Sequence, residues 1–126
     1  MSMSSYEVGP VVAVSDLDRA RSFYEEKLGL SPGDENEEGV RYDCGKGTGL
    51  FVYRSPEHAG KSTATQVGWV VDDIGKVVDE LTSNGVEFEQ YEGELQTDER
   101  GIFEAEGMKA AWFRDPDGNT HALNQS

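Results

Sequence analysis

The sequence contains one cysteine, Cys44, so it forms no internal disulfide and suits a reducing compartment. It has two histidines, His58 and His121, too few to build a thiolate–imidazole metal cluster with a single thiol. No apolar run approaches the length that crosses a bilayer, and the opening MSMSSYEVGP lacks the basic-then-apolar order of a secretory leader. A cytoplasmic protein with no membrane partner is expected. Positive charge is also scarce: 11 Lys and Arg stand against 25 Asp and Glu, a formal charge of −14. Such a surface repels phosphate backbones, which argues against nucleic acid as a partner. The acidity reads either as a solubility or high-salt surface or as an attractor of cationic ligands, and total charge does not separate the two.

What is present is a repeat. Residues 12–30, VAVSDLDRARSFYEEKLGL, share their physical pattern with residues 69–86, WVVDDIGKVVDELTSNGV. At an offset of 57, Val14 falls on Val71, Asp16 on Asp73, Leu17 on Ile74 and Tyr24 on Leu81. After a one-residue gap, Gly29-Leu30 falls on Gly85-Val86. A chain of 126 residues is the length of one domain. We therefore read residues 1–126 as a single domain: a first module over about 6–55, a polar linker over about 56–64, and a second module over about 65–126.

Each copy reads as strand, helix, then antiparallel strands. Val8 to Val14 and Gln66 to Val71 are short β-branched runs, hence strands. Asp16 and Asp73 are placed to accept from the free N–H groups of a first helical turn. Leu17, Ala20, Tyr24 and Leu28 recur at helical spacing, as do Ile74, Val77, Val78 and Leu81. Gly29 and Gly85 stand where a helix stops on a left-handed residue. Residues 38–45 and 48–55 alternate around a Gly45-Lys46-Gly47 turn, and residues 107–114 and 119–125 flank the turn Asp115-Pro116-Asp117-Gly118. Residues 31–39 and 91–101 are acidic and Gly-containing; they read as loops, the second as a flap.

The string VSDLDRARSFYEEKLGL, followed some ninety residues later by FRDPDGN, resembles the vicinal-oxygen-chelate superfamily of glyoxalases, bleomycin-resistance proteins and extradiol dioxygenases. The resemblance implies an α+β fold in which two βαβββ modules form curled mixed sheets around a cup, with the helices outside. It also implies a homodimer. Metal-dependent members place His, Gln or Glu at four strand positions. In this chain those positions carry Gly9, Phe51 or Tyr53 (depending on register), Gln66 and Ala122. Gly, Ala and Phe offer no donor atom, and Tyr and a neutral amide are feeble ligands for a divalent transition metal. Neither a metal site nor another cofactor is expected. His58 reads as a solvated linker residue, and His121 as a half-buried residue on the helix-facing side.

In the fold so implied, Gly9, Val11 and Ala13 face the cup, as do Gln66, Gly68 and Val70. By the same parity Phe51, Tyr53, Ala122 and Asn124 join them, with Trp112 and Ala110 as an aromatic wall; Phe113 is the alternative inward residue. Trp69 and the Phe23-Tyr24 pair are assigned to the core. The candidate ligand-binding residues are therefore Phe51, Tyr53, Gln66, Trp112 and Asn124, an apolar-aromatic lining with a few polar groups. The leading reading is a metal-free protein that binds a small molecule. Two others stand beside it: a metal-dependent lyase, isomerase or dioxygenase with a displaced metal site, and a ligand-free structural module.

Overall fold

The computed structural model describes residues 2–126 and holds two mixed four-stranded sheets, ordered β1-β4-β3-β2 and β5-β8-β7-β6. In the first, β1 (Val11–Val14) runs parallel to β4 (Gly49–Arg54), and β3 (Gly39–Asp43) and β2 (Pro32–Glu35) continue antiparallel. In the second, β5 (Thr65–Val70) runs parallel to β8 (Thr120–Gln125), followed by β7 (Met108–Arg114) and β6 (Ile102–Ala105). Helix α1 (Leu17–Arg21) follows β1, and α2 (Ile74–Ser83) follows β5. This is the α+β, twice-repeated βαβββ plan. Among the described residues no helix is long and apolar enough to cross a membrane.

The sequence signals act as their chemistry requires. Asp16 Oδ1 accepts from the Arg19 N–H and Asp73 Oδ1 from the Lys76 N–H, each at 3.2 Å, capping the two helices. Gly29 and Gly85 sit at φ 77° and 95°. The one-residue gap in the repeat has a structural counterpart. Helix α1 passes into a π-helical turn over Ser22–Lys27, where Leu28 N–H donates to Phe23 O, five residues back. The wider turn absorbs the extra residue and brings two adjacent aromatics, Phe23 and Tyr24, into the core together.

One strand lies where a loop was expected, and another where no element was assigned. Residues 32–35 form β2 although all four are exposed, because pairing with β3 supplies the order that their own pattern lacks. Residues 102–105 form β6 just after the 91–101 stretch. That stretch is no free flap: Tyr91 N–H donates to Thr97 Oγ1 (2.8 Å) and Thr97 N–H to Tyr91 O (3.0 Å), closing its neck.

A shared core joins the halves. Val12, Val14, Val40, Val52 and Tyr42 of the first sheet cluster with Phe23 and Tyr24 and with Val67, Val86 and Phe113 of the second half. Burying each of these valines contributes roughly 2 kcal/mol. A polar chain runs through the same core. The Trp69 indole N–H donates to His121 Nδ1 at 3.0 Å. Indole only donates, so Nδ1 is unprotonated and the neutral ring carries its proton on Nε2. Nε2–H then meets the Tyr24 hydroxyl at 2.9 Å, and Tyr24 O–H donates to Asp115 Oδ2 at 2.7 Å. His121 is fully rather than half buried.

The Asp115-Pro116-Asp117-Gly118-Asn119 turn is also a clamp. The buried Asp115 carboxylate accepts from the Asp117 and Asn119 backbone N–H groups as well as from Tyr24. Asp117 accepts from Ser15, and Asn119 Nδ2 donates to Ala13 O, which pins the end of β1 to the second half. The linker docks here too: Gly60 N–H donates to Asn119 Oδ1, and Gly60 sits at φ 65° where a Cβ would run into the Asp117 carbonyl.

Candidate functional site

The core shared by the halves uses the helix-facing side of the strands, which leaves the opposite faces as the candidate site. On the first sheet that face carries Val11, Ala13, Arg41, Phe51 and Tyr53, since Val11 and Arg41 both register on Phe51 and Ala13 on Tyr53. Phe51 and Tyr53 stack with ring centroids 6.2 Å apart and planes within 6°. Gly39 makes room for this: a Cβ there would lie 2.7 Å from the Phe51 ring edge. Arg41 Nη2 lies over Gly49, and Phe51, Arg41 and Gly9 border a cavity of about 210 Å³. Arg41 was not singled out from the sequence, although strand alternation places it on the Phe51 face.

On the second sheet the corresponding face carries Ala110, Trp112, Thr120, Ala122 and Asn124, because Trp112 registers on Ala122 and Ala110 on Asn124. The Phe113 alternative is excluded: that ring is buried against Phe23, Phe88 and His121. Trp112 packs instead against Tyr91 (5.4 Å, 57°) and Phe103 (6.3 Å, 46°). Trp112, Tyr91, Thr120 and the 92–95 turn border a second cavity of about 540 Å³. Tyr91 and Phe103 were missed in the sequence, because the first lies in an irregular loop and the second in an unrecognised strand.

The structure therefore groups Phe51 with Tyr53, and Trp112 with Asn124 on one sheet face, but no described cavity holds members of both pairs. Gln66 stands apart from the simple alternation. Thr65 registers on Thr120 and Val67 on His121, so Gln66 is the extra residue of a β-bulge, half-buried at the start of β5.

The four positions of the family metal site do not fit a metal. Besides lacking donor atoms, Gly9 is pressed on its neighbour: a Cβ there would stand 2.8 Å from the Gly49 carbonyl oxygen. Among the described residues no three His, Cys, Asp or Glu side chains are grouped to hold an ion. His58 is exposed and bonds through Nδ1 to the Ser55 hydroxyl (2.9 Å), and burial pushes the Cys44 thiol above its usual range, away from thiolate chemistry. Burial likewise pushes His121 down to about 4, so it is a neutral core residue at ordinary pH.

The sequence profile of the Glyoxalase/Bleomycin resistance protein/Dioxygenase superfamily matches residues 8–123 of this twice-repeated fold. The chain belongs to this superfamily. Among solved structures, a glyoxalase/bleomycin resistance protein from Catenulispora acidiphila is 27% identical, with a TM-score of 0.71 over 95% of this chain and 97% of that one. TnmS3, an antibiotic binding protein from a Streptomyces species, is 21% identical with a TM-score of 0.68 over 96% and 97%. A lactoylglutathione lyase from Agrobacterium tumefaciens is 18% identical with a TM-score of 0.64 over 97% and 94%. The last two show a shared fold and no more. A search of curated proteins finds no match. At the four positions where metal-dependent members carry ligands, this chain has Gly9, Phe51 or Tyr53, Gln66 and Ala122, of which only Gln66 is of a ligand type.

Proposed function

We propose that the protein is a metal-free small-molecule-binding member of the superfamily, acting in the cytoplasm as a homodimer whose cups each draw on both chains. The observation that carries this reading is the aromatic character of the two ligand-facing sheets, Phe51–Tyr53 on one and Trp112 with Tyr91 and Phe103 on the other. Such faces hold an apolar body by burial and stacking, and nearby polar groups orient it. The positions from which a Lewis acid would act offer at most the feeble donors Tyr53 and Gln66, so the site is suited to binding rather than to enediolate chemistry. TnmS3, of the same fold, is an antibiotic binding protein, which accords with a cup that holds its occupant.

The incompleteness of a single chain's site supports the homodimer. The two aromatic faces border separate cavities in one chain, and β1 and β5, which pair only with β4 and β8, are sheet edges. These edges expose Val11 (60%) and Val70 (92%), and the segment leading into β1 exposes Val8 (95%), apolar surface that a monomer would leave in water. A second copy laid along it would bring one chain's Phe51 face opposite the other's Trp112 face.

The test joins light scattering with a thermal-shift screen of apolar and aromatic small molecules, each recovered afterwards for mass spectrometry. A dimer mass, stabilisation by some compounds and their return unchanged is the expected result. Val11→Lys with Val70→Lys should give a folded monomer that has lost the stabilisation. A wild-type monomer with full ligand binding would overturn the shared cup, and chelator-sensitive conversion of a ligand would put the enzyme reading first.

A further inference from the structure

We infer that the Trp112 side of the cup selects an organic ammonium ion that carries an N–H, an inference resting on the small-molecule reading above. Three independent features of one place converge on that chemistry. The first is the ring pair itself: Tyr91 and Trp112 meet at 57° with centroids 5.4 Å apart and so form an open corner of two π faces. The faces of indole and phenol rings carry negative potential and attract a cation laid against them.

The second is charge. The turn over Gly93–Leu95, fastened at its neck by the paired Tyr91–Thr97 hydrogen bonds, brings Glu92 and Glu94 to the border of the same cavity. Among the described residues no Lys or Arg borders it. Arg114, on the same sheet face, is held by Glu89 at 2.8 Å. An anion brought here meets two carboxylates and no counter-charge, whereas a cation is drawn in, the more so toward a chain of net charge −14.

The third is a hydroxyl. Thr120 stands at the start of β8 on the cup side, bordering this cavity, and is buried to 3% exposure, yet its Oγ1 makes no hydrogen bond within the protein. Buried polar atoms are nearly always paired, so an unpaired one beside a cavity marks a place for a ligand's polar group. An ammonium N–H satisfies that oxygen and answers the carboxylates at once. A neutral alcohol would answer only the hydroxyl, and a quaternary ammonium only the charge.

The probes are benzylamine, benzyltrimethylammonium, benzyl alcohol and benzoate, titrated into the full-length protein with the Trp112 indole N–H followed by 1H–15N NMR. Benzylamine should bind at least fivefold more tightly than benzyl alcohol, and most of that preference should vanish between 0.05 and 0.5 M salt. Glu92→Gln combined with Glu94→Gln should erase the preference while leaving benzyl alcohol unchanged. Thr120→Val should weaken benzylamine severalfold and leave benzyltrimethylammonium unaffected. Equal binding of benzylamine and benzyl alcohol, or tighter binding of benzoate, would overturn the cation assignment and leave a small-molecule cup standing. If none of the four shifts Trp112 while another compound stabilises the protein, the assignment fails alone. If no compound binds at all, both readings fail.

Discussion

The buried His121 makes stability depend on pH in a way that can be worked out beforehand. The ring is completely enclosed, and its Nδ1 accepts from Trp69. Protonation would place an N–H against the indole N–H and a charge in the core, and burial holds the folded-state value down at about 4, against 6.5 when exposed. Above pH 6.5 the ring is neutral in both states and contributes no pH dependence. Between 6.5 and 4 the unfolded chain binds the proton and the folded chain does not, so stability falls as pH falls; below 4 this contribution levels off. The full difference of 2.5 units is worth about 3 kcal/mol, and about 2 kcal/mol of it should be lost by pH 5. Urea unfolding at pH 7.5 and 5.0 measures the loss, and the same pair of experiments on His121→Gln subtracts the carboxylates. Independently, the His121 Cε1–H resonance, assigned against His58→Gln, should stay flat from pH 8 to 5. A midpoint above 6, or the same pH dependence in His121→Gln, would refute the argument.

Other perturbations have expected sizes. Tyr24→Phe leaves His121 Nε2–H and the Asp115 carboxylate each short of a partner, and should cost about 2–4 kcal/mol in urea unfolding; a loss under 1 kcal/mol would mean that water replaces the hydroxyl. Gly60→Ala adds a backbone clash with Asp117 to a left-handed conformation and should cost more than about 2 kcal/mol, whereas Gly29→Ala, at φ 77° with open space around it, should cost only about 1 kcal/mol. Equal losses at the two glycines would discount the clash. Thr120→Val removes an unpaired buried hydroxyl and should raise stability by about 1 kcal/mol; a fall would mean that the oxygen already has a partner in solution.

The elements legible in the sequence were those whose chemistry is local. Asp16 and Asp73 cap helices because a carboxylate next to free N–H groups does so wherever it stands, and Gly118, at φ 91°, closes its turn through an N–H bond to the Asp115 carbonyl. The one-residue gap in the repeat was visible, but that the surplus residue is taken up by a π turn over Ser22–Lys27 was not. Strand β2 was illegible because Pro32-Gly33-Asp34-Glu35 has no buried face and is ordered only by its partner. The site shows the same division. Alternation alone put Phe51 and Tyr53 on one face, but neighbouring Trp112 and Phe113 are both aromatic, and only the register with Ala122 and His121 tells the outer face from the core. The bulge at Gln66 broke the parity that would have aimed it, and the Tyr91 corner depends on a loop whose closure is made by Thr97.

The same distinction bears on whether these positions could hold a metal at all. Were side-chain identity the only obstacle, putting His at 9 and 66 and Glu at 122 would create a three-ligand centre. Two features of the backbone oppose this. Gly9 has its Cα hydrogen side closed by the Gly49 carbonyl, so a histidine there must push the β1–β4 pairing apart before its ring can reach inward. Gln66 occupies a bulge, so a histidine in its place is not bound by the alternation that carries Gly68 and Val70. We therefore expect the triple variant Gly9→His, Gln66→His, Ala122→Glu to melt below the wild type, with zinc raising its melting temperature no more than it raises that of Gln66→His, Ala122→Glu alone. A large zinc-dependent rise confined to the triple variant would show that the backbone does suit a metal. The expected outcome instead places the obstacle in the main chain, where the Gly49 carbonyl leaves no room for a side chain at position 9.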